Sequence, residues 1–238
     1  TIEKVYGIEI FKGYISQTEQ KLQEFVNRNR IFCFELYNTN VFTFDFSKIV
    51  NENQDKNILV LGNPPWVTNS GLGKTEGNNL PTKGNIDKYR GIEAITGKGN
   101  FDIAESICNM IIDAFSRHHN THIALLVKNS VIKNLLYRQH SHPRYIQNIR
   151  QLCFDAKREF NVAVSASLFE CQIGVDYHSQ CSSYDFYTKC FSHTFGWVND
   201  AFVSNIQDYG ATNFLDGKSQ LIWRSGIKHD CSKVMELS

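Results

Sequence analysis

The first part of the chain contains four short apolar runs, with one amphipathic stretch between the first and the second. Residues 5–10 are mostly apolar and β-branched, which is typical of a buried strand. Residues 13–29 carry a partial apolar face at helical spacing and predict a helix. A last apolar run is ended by Gly62 and a Pro-Pro pair. The elements predicted in this part are strands at 5–10, 31–37, 41–46 and 58–61, and the helix at 13–29.

The clearest helical pattern lies in the middle of the chain, at residues 102–118, where large apolar residues recur at every fourth position. Asp102 is placed to cap this helix, and Glu105 stands at the reciprocal position of a capping box. Strand and helix patterns then alternate, which predicts an α/β protein with a mostly parallel sheet. The further predicted elements are a strand at 122–127, a helix at 130–138, two short strands within 161–175 and a strand at 184–191.

Composition and charge narrow the class of protein. With 238 residues, 42% of them hydrophobic, the chain can bury a sizeable core. Its net charge of +1 is weak for a protein that binds nucleic acid by itself, so such a function would need a local basic patch or a separate basic module. No apolar stretch is long enough to span a membrane. Seven cysteines without a C-x-x-C pair or zinc spacing predict reduced thiols, a cytoplasmic location and no metal.

A polar segment at residues 67–99 is rich in Gly, Asn, Thr and Lys, and it is long for a passive connection in a compact domain. Within it, SGLGKT (70–75) approaches a phosphate-binding loop, but that loop requires a glycine where Thr68 stands. Either a basic loop that touches DNA or a solvated loop accounts for this composition. Its basic residues are Lys74, Lys83, Lys88 and Arg90.

The residues that indicate chemistry are Asn63, Pro64, Pro65 and Trp66, directly after the predicted strand 58–61. Ligands of open parallel sheets bind at the carboxyl ends of strands. One reaction that these residue types suit is methylation of the exocyclic amine of a nucleobase, which is a poor nucleophile because its lone pair is delocalised into the base ring. The side-chain oxygen of Asn63 and the carbonyl of Pro64 could accept hydrogen bonds from the two N–H groups of the amine, and proline holds the turn rigid. Trp66 could stack on a base, and the alternative is a proline-rich strand end with Trp66 in the core.

This turn resembles a known motif. LVLGNPPW (59–66) is similar to motif IV of the N6-adenine DNA methyltransferases, in the group whose cofactor motif precedes the catalytic one. The order of other segments agrees with that family. These segments are YGIEI (6–10), TFDFSKI (43–49), FDIAESICNMIIDAF (101–115), HIALLVKNSVI (122–132), NVAVSASLFECQIG (161–174) and WRSGIKHDCSKVMEL (223–237).

The resemblance implies a Rossmann-like fold that uses S-adenosylmethionine. It implies that Glu9, with Ile10 beside it, holds the ribose of the cofactor, and that Asp45 and Phe46 meet its adenine. Phe169 is expected to pack against the flipped base. For each of these residues an ordinary structural role is the alternative: a strand-end acid, a turn acid or a core aromatic.

The resemblance further implies methyl transfer to adenine N6 in double-stranded DNA, within a restriction-modification system. Residues 1–191 are expected to form the catalytic domain, without the first strand and its glycine-rich cofactor loop. Residues 192–238 are expected to end it or to lead into a target-recognition region. The missing N-terminal part and that region are the expected partners in the parental chain. The alternatives are a methyltransferase acting on guanine N2 in RNA or on glutamine in protein, or a non-catalytic nucleic-acid-binding segment.

Overall fold

The computed structural model describes residues 2–29, 32–66, 102–215 and 217. The predicted basic loop and the segment 223–237 lie outside these residues. The described part contains nine strands, six α-helices and two short 3-10 helices. The strands are β1 (Lys4–Glu9), β2 (Cys33–Asn38), β3 (Ile58–Gly62), β4 (Thr121–Lys128), β5 (Ile146–Cys153), β6 (Ala166–Ile173), β7 (Gln180–Asp185), β8 (Phe191–Val198) and β9 (Ala201–Val203). The helices are α1 (Lys12–Asn29), α2 (Ser47–Glu52), α3 (Ile103–Ala114), α4 (Asn129–Ser141), α5 (Ala156–Phe160) and α6 (Ile206–Thr212), with 3-10 helices at Val41–Thr43 and Asn213–Leu215.

The larger sheet has seven strands in the order β3-β4-β6-β5-β7-β8-β9. Strands β3, β4, β5, β7 and β9 run in one direction, and β6 and β8 run in the other. The sheet is therefore mostly parallel, and the α/β prediction is confirmed. Helix α3 lies between β3 and β4 in the chain, and α4 lies between β4 and β5. This Rossmann-like alternation brings the carboxyl ends of β3, β4 and β5 to one edge of the sheet.

The core lies on one face of this sheet. Alternate residues of β4 and β6, such as Leu125 and Phe169, are each 1% exposed there and pack with α3 and α4. The apolar periodicity of α3 explains its place, because Ile103, Ile107 and Ile111 are all buried. Asp102 caps this helix by accepting a hydrogen bond from the Ala104 N–H at 3.0 Å, as predicted.

A second, smaller sheet consists of β1 and β2, which pair in parallel. Helix α1 connects the two strands and contacts β2. Ion pairs and tyrosine hydroxyl groups link this sheet to α2, through Lys4, Glu35, Lys48 and Glu52. Strands β1 and β2, helix α1 and helix α2 together are referred to below as the β1–β2 unit.

The structure differs from the predicted elements at three places. A 3-10 helix followed by irregular residues 44–46 replaces the strand expected at 41–46, because the Asn40 side chain accepts a hydrogen bond from the Phe42 N–H and turns the chain. One continuous strand, β6, replaces the two short strands expected within 161–175. Two strands and a turn replace the strand expected at 184–191, because Asp185 accepts hydrogen bonds from the Tyr187 and Thr188 N–H groups.

Strand β5 was not predicted at all. Its sequence, IQNIRQLC, has no regular alternation, and a register shift lies between Gln147 and Arg150. Asn148 adopts a positive φ of 53° in that bulge. The bulge changes which face each residue points to, so the period of two is lost. The domain boundary expected near Phe191 falls at the first residue of β8, and β8 and β9 continue the larger sheet.

Membrane spans, metal clusters and disulfides are absent from the described residues. None of their helices has both the length and the hydropathy needed to cross a bilayer. No group of three or more His, Cys, Asp or Glu side chains in this part of the chain is placed to hold a metal ion. Its six cysteines are free, and burial raises the pKa of Cys171 to about 12, which keeps that thiol protonated.

Candidate active site at the carboxyl edge of the sheet

The proline-rich turn continues directly from β3 at the carboxyl edge of the larger sheet. Strand β3 pairs with β4 as far as Gly62, which lies opposite Leu125. A Cβ at Gly62 would be 2.9 Å from Leu125 Cδ2, so a larger residue would displace that core side chain. Beyond Gly62, Asn63 and Pro65 are exposed and Pro64 is buried. The turn is thus fixed through Pro64, while the Asn63 side chain is accessible.

Trp66 is held at the end of this turn by a hydrogen bond to the neighbouring strand. Its indole Nε1–H donates to the carbonyl of Leu126 at 2.9 Å. The side chain is half-buried, so part of the ring is accessible. The alternative in which Trp66 is a wholly buried core residue does not match this position. The ring is oriented before any ligand arrives, which reduces the entropy cost of stacking on it.

The aromatic residue beside Trp66 is Phe160, at the end of α5. The two ring centroids are 5.6 Å apart with an interplanar angle of 74°. Phe160 is 44% exposed. Phe169, which the resemblance placed against the base, is 1% exposed in the core. Both phenylalanines follow β5 in the chain, and sequence patterns alone did not distinguish them.

A half-buried ion pair lies at the same edge. Lys128, the last residue of β4, pairs with Asp102, and their side chains are 17% and 10% exposed. One carboxylate oxygen of Asp102 caps α3 while the other accepts from Lys128. Both oxygens of Asp102 are thus engaged within the protein. This agrees with the predicted role of Asp102 as the cap of this helix.

The residues expected to hold the cofactor ribose lie at the end of β1. One carboxylate oxygen of Glu9 accepts a hydrogen bond from the Phe11 N–H at 2.8 Å. Asn38, at the end of β2, donates to the carbonyls of Glu9 and Ile10. These bonds fix the strand end on which Glu9 is carried. The second oxygen of its half-buried carboxylate has no hydrogen-bond partner among the described residues and is available to a ligand.

Asp45 and Phe46 lie at the start of α2 and differ in exposure. Asp45 is exposed, and hydrogen bonds from the Ser47 side chain and N–H lower the pKa of its carboxyl group. Phe46 is 8% exposed and packs with edge-to-face geometry against Phe44 and Phe115. Asp45 is therefore accessible as an ionised acceptor, whereas the Phe46 ring is largely used by the core.

The structure brings together one part of the predicted site. Trp66, the end of β4 and Phe160 are in contact, and Asn63 lies on the same turn. Among the described residues, no hydrogen bond, ion pair or ring contact joins Glu9 to Asp45, or either of them to residues 63–66. Sequence reasoning did not single out Phe160, which contacts Trp66. The available signal was its position in a short polar segment between two strands, at the edge where the proline-rich turn ends.

The geometry therefore defines an α/β protein with an aromatic and amide-bearing turn at the carboxyl edge of its sheet. No family model matches the sequence. The chain is similar to the type II methyltransferase M.NspV of Nostoc sp. (strain ATCC 29411 / PCC 7524), with 35% identity over 237 residues, 99% of this chain. It spans 48% of the length of that relative, so it is a homologue of about half of a type II methyltransferase.

The chain also has a distant likeness to a solved structure. The structural match to the type IIL restriction-modification enzyme MmeI in complex with DNA covers 72% of this chain and 21% of the MmeI chain. The sequence identity is 15% and the TM-score is 0.41. This similarity is too distant to assign any residue.

Proposed function

We propose that the protein is the catalytic portion of a DNA methyltransferase that transfers a methyl group from S-adenosylmethionine to N6 of adenine. The observation that carries this proposal is the turn formed by Asn63, Pro64, Pro65 and Trp66 at the carboxyl end of β3, with Trp66 anchored on Leu126. The similarity to a type II methyltransferase supports the reaction class. The adenine target rests on the chemistry of the turn and on the resemblance of the sequence.

Base capture is assigned to the two aromatic residues. A nucleobase must leave the duplex before its exocyclic amine can react, which costs a few kcal/mol. Stacking on an aromatic ring contributes roughly 1–3 kcal/mol per base and offsets much of that cost. Trp66 supplies an oriented ring, and the exposed side of Phe160 extends the aromatic surface. Phe160 replaces Phe169 in this role.

Activation of the amine is assigned to Asn63 and Pro64. The side-chain oxygen of Asn63 and the carbonyl oxygen of Pro64 accept hydrogen bonds from the two N–H groups of the amine. These hydrogen bonds draw the nitrogen towards a tetrahedral geometry. Its lone pair is then free to attack a methyl group in line with the leaving sulfur. The proton lost from the methylated nitrogen leaves through the oxygen that accepts it, towards solvent. No metal ion is needed for this step.

The residues at the ends of β1 and β2 suit a nucleoside cofactor. The free oxygen of the Glu9 carboxylate would accept from a ribose hydroxyl, with Ile10 beside it, and the ionised Asp45 would accept from the amino group of an adenine. Phe46 would contribute only the small exposed part of its ring. When bound, S-adenosylmethionine supplies a methyl group activated by its sulfonium. A glycine-rich loop from a further strand is proposed to complete this site.

The biological setting proposed is a restriction-modification system. In this setting the partners are double-stranded DNA with one flipped adenine, the cofactor loop and a target-recognition region of the same protein. The chain spans about half the length of its relative, so these partners apply to the whole protein.

The test is the single-turnover methylation rate of the full-length protein with Asn63 changed. Asn63→Ala removes an acceptor whose hydrogen bond strengthens towards the transition state, so the rate should fall about 10²-fold or more. Cofactor affinity, measured by calorimetry, should change little. Asn63→Asp keeps an acceptor and should retain an intermediate rate. Asn51→Ala, an exposed asparagine on α2, is the matched control and should behave as wild type.

Two outcomes would contradict the proposal. An Asn63→Ala protein with the wild-type rate would reduce the turn to a proline-rich strand end in a nucleic-acid-binding module. Transfer of labelled methyl groups to RNA or protein pools, and none to DNA, would replace adenine in DNA by guanine N2 or a glutamine amide.

A further inference from the structure

Aromatic and cationic side chains, some exposed and some half-buried, line the surface beside the candidate active site. It consists of residues 154–160, which include α5, and residues 185–190, from the end of β7 to the turn before β8, and is called the α5 ridge below. Ring contacts connect it to Trp66 through Phe160, Phe154 and Phe186, with centroid separations of 5.6, 5.7 and 6.1 Å. Tyr187 continues the series at 5.6 Å from Phe186. The ridge thus begins where the base is proposed to bind.

Two cations of the α5 ridge are stacked on its aromatic rings. The Arg158 guanidinium carbon lies 5.2 Å from the centroid of Tyr187, and the Lys189 ammonium lies 4.1 Å from that of Phe186. Such contacts hold a cation in place without neutralising its charge. Lys189 adopts a positive φ of 60° in the turn, which is uncommon for a residue with a side chain. The third cation, Lys157, is exposed.

The acidic side chains of the α5 ridge are mostly occupied by internal hydrogen bonds. Asp155 accepts from the Lys157 and Arg158 N–H groups, and Asp185 accepts from two N–H groups and from the Thr188 hydroxyl. These bonds, the Thr188 N–H first, lower the pKa of Asp185.

The third acid is Glu159, whose carboxylate accepts from the Tyr187 hydroxyl and lies 3.7 Å from Arg158 Nε. Within the described residues, neither Lys157 nor Lys189 has a carboxylate within ion-pair distance. Although cations and anions are equal in number, backbone N–H groups engage Asp155 and Asp185 and the Tyr187 hydroxyl engages Glu159, whereas Lys157 and Lys189 are exposed.

From this arrangement we infer that the α5 ridge binds the phosphate backbone of duplex DNA next to the extruded base. The inference rests on the proposed function and adds a substrate contact to it. Lys157, Arg158 and Lys189 contact phosphates, and the exposed faces of Tyr187 and Phe160 cover the base step opened by extrusion. Positive charge interleaved with aromatic rings is the pattern by which proteins hold an opened strand. The exposed cations Lys157 and Lys189 supply local positive charge on a chain whose net charge is only +1.

The test is the salt dependence of DNA binding by the full-length protein. Fluorescence anisotropy at several salt concentrations gives the slope of log K against log salt, whose magnitude decreases by about 0.9 for each phosphate that the protein no longer neutralises. Replacing Lys157, Arg158 and Lys189 by Gln should therefore lower the magnitude of the slope by about 2–3.

The matched control removes the same charge elsewhere. Lys12, Lys21 and Lys133 are replaced by Gln, and Lys133 is also stacked on an aromatic ring, 4.6 Å from the centroid of Phe202. This control should keep the wild-type slope. An unchanged slope in the ridge variant, or an equal fall in the control, overturns the inference. A ridge variant that melts earlier but keeps the wild-type slope would instead indicate that the ridge docks another segment of the protein, which also overturns it.

Failure of the ridge and failure of the proposed function give different results. DNA methylation by wild type, with an unchanged slope in the ridge variant, overturns the ridge alone. A reduced slope in the ridge variant of a protein that transfers no methyl group to DNA supports the ridge and overturns the proposed function. A wild-type protein that does not bind DNA overturns both.

Discussion

The β1–β2 unit and the seven-stranded sheet are held together by different forces. The sheet buries a large apolar cluster between its strands and helices α3 and α4, whereas α1 and both strands of the β1–β2 unit contain no buried residue among those described. The unit reaches this cluster through Ile49 of α2 and partly buried residues of β1, and its strands are connected to α2 by ion pairs of Lys4 and Lys48 with Glu35 and Glu52, all partly exposed. Exposed ion pairs contribute little stability, whereas apolar burial contributes most of it.

This difference coincides with the proposed division of function. The residues assigned to the amine and the base lie on the sheet, and Glu9 and Asp45, assigned to the cofactor, lie on the β1–β2 unit. The rigid sheet keeps Asn63 and Trp66 in position, and the methyl-transfer reaction requires such fixed geometry. The β1–β2 unit should gain stability when a cofactor binds, because a ligand that binds only the folded state stabilises that state. We therefore expect ligand and solution conditions to act mainly on the β1–β2 unit.

The largest expected effect is that of Phe169→Ala in the core of the sheet. Removing a fully buried phenylalanine should lower the free energy of unfolding by about 3–5 kcal/mol. Phe160→Ala, whose ring is 44% exposed, should cost much less stability but should weaken base capture. Thermal or denaturant unfolding measures the first effect, and 2-aminopurine fluorescence at the target position measures the second. The reverse ranking of the two variants would restore Phe169 as the base-contacting residue.

A smaller effect is expected from Trp66→Ala. Loss of the anchored ring should weaken base capture by roughly 1–3 kcal/mol in the same 2-aminopurine assay. Trp66→Phe keeps a ring but loses the hydrogen bond to Leu126, so it should retain much of the signal. If Trp66→Ala leaves the signal intact and only lowers the melting temperature, Trp66 is a core residue and the proposed base site is elsewhere.

Asn53 joins the two parts, and its side chain should contribute less still. It is 8% exposed, donates to the Ile49 carbonyl at 2.7 Å and to the Tyr6 hydroxyl at 3.0 Å, and its own carbonyl accepts from His118 Nε2. Asn53→Ala leaves these side-chain partners unsatisfied, which should cost about 1–2 kcal/mol. Hydrogen exchange should show loss of amide protection first in β1 and β2. Equal loss across β4 and β6 would mean that the two parts unfold as one unit.

The smallest effect is expected from acid, as the pH falls from 4.5 towards 2. A hydrogen bond from Lys4, with further bonds from Tyr37 and Lys48, lowers the pKa of Glu35 from 4.5 to about 2. The stabilisation from Glu35 is therefore complete above pH 4.5 and is lost as the pH falls towards 2. Amide protection in β1 and β2 should fall over this range relative to β4. Glu35→Gln should make that fall shallower, and unchanged protection in wild type would show that the ion pairs do not stabilise the unit.

Local patterns in the sequence were sufficient for several features. The helix that begins after Asp102 follows from apolar residues at every fourth position and from its cap, all of which act within a few residues of each other. The turn at residues 63–66 follows in the same way, because two prolines and a glycine end the strand wherever the strand lies. The 3-10 helix at Val41–Thr43 shows the limit of this approach, since one hydrogen bond from Phe42 N–H to Asn40 overrode a strand-like composition.

Sequence by itself determined the α/β class, the proline-rich turn and its place after a strand, because each depends on neighbours in the chain. Tertiary structure alone decided that β6 inserts antiparallel between β4 and β5, which buries Phe169 opposite Leu125. It alone decided that Phe160, and not Phe169, meets Trp66. Two phenylalanines in similar surroundings along the chain look alike until strands distant in sequence pair, because the pairing register sets which side chain faces the core.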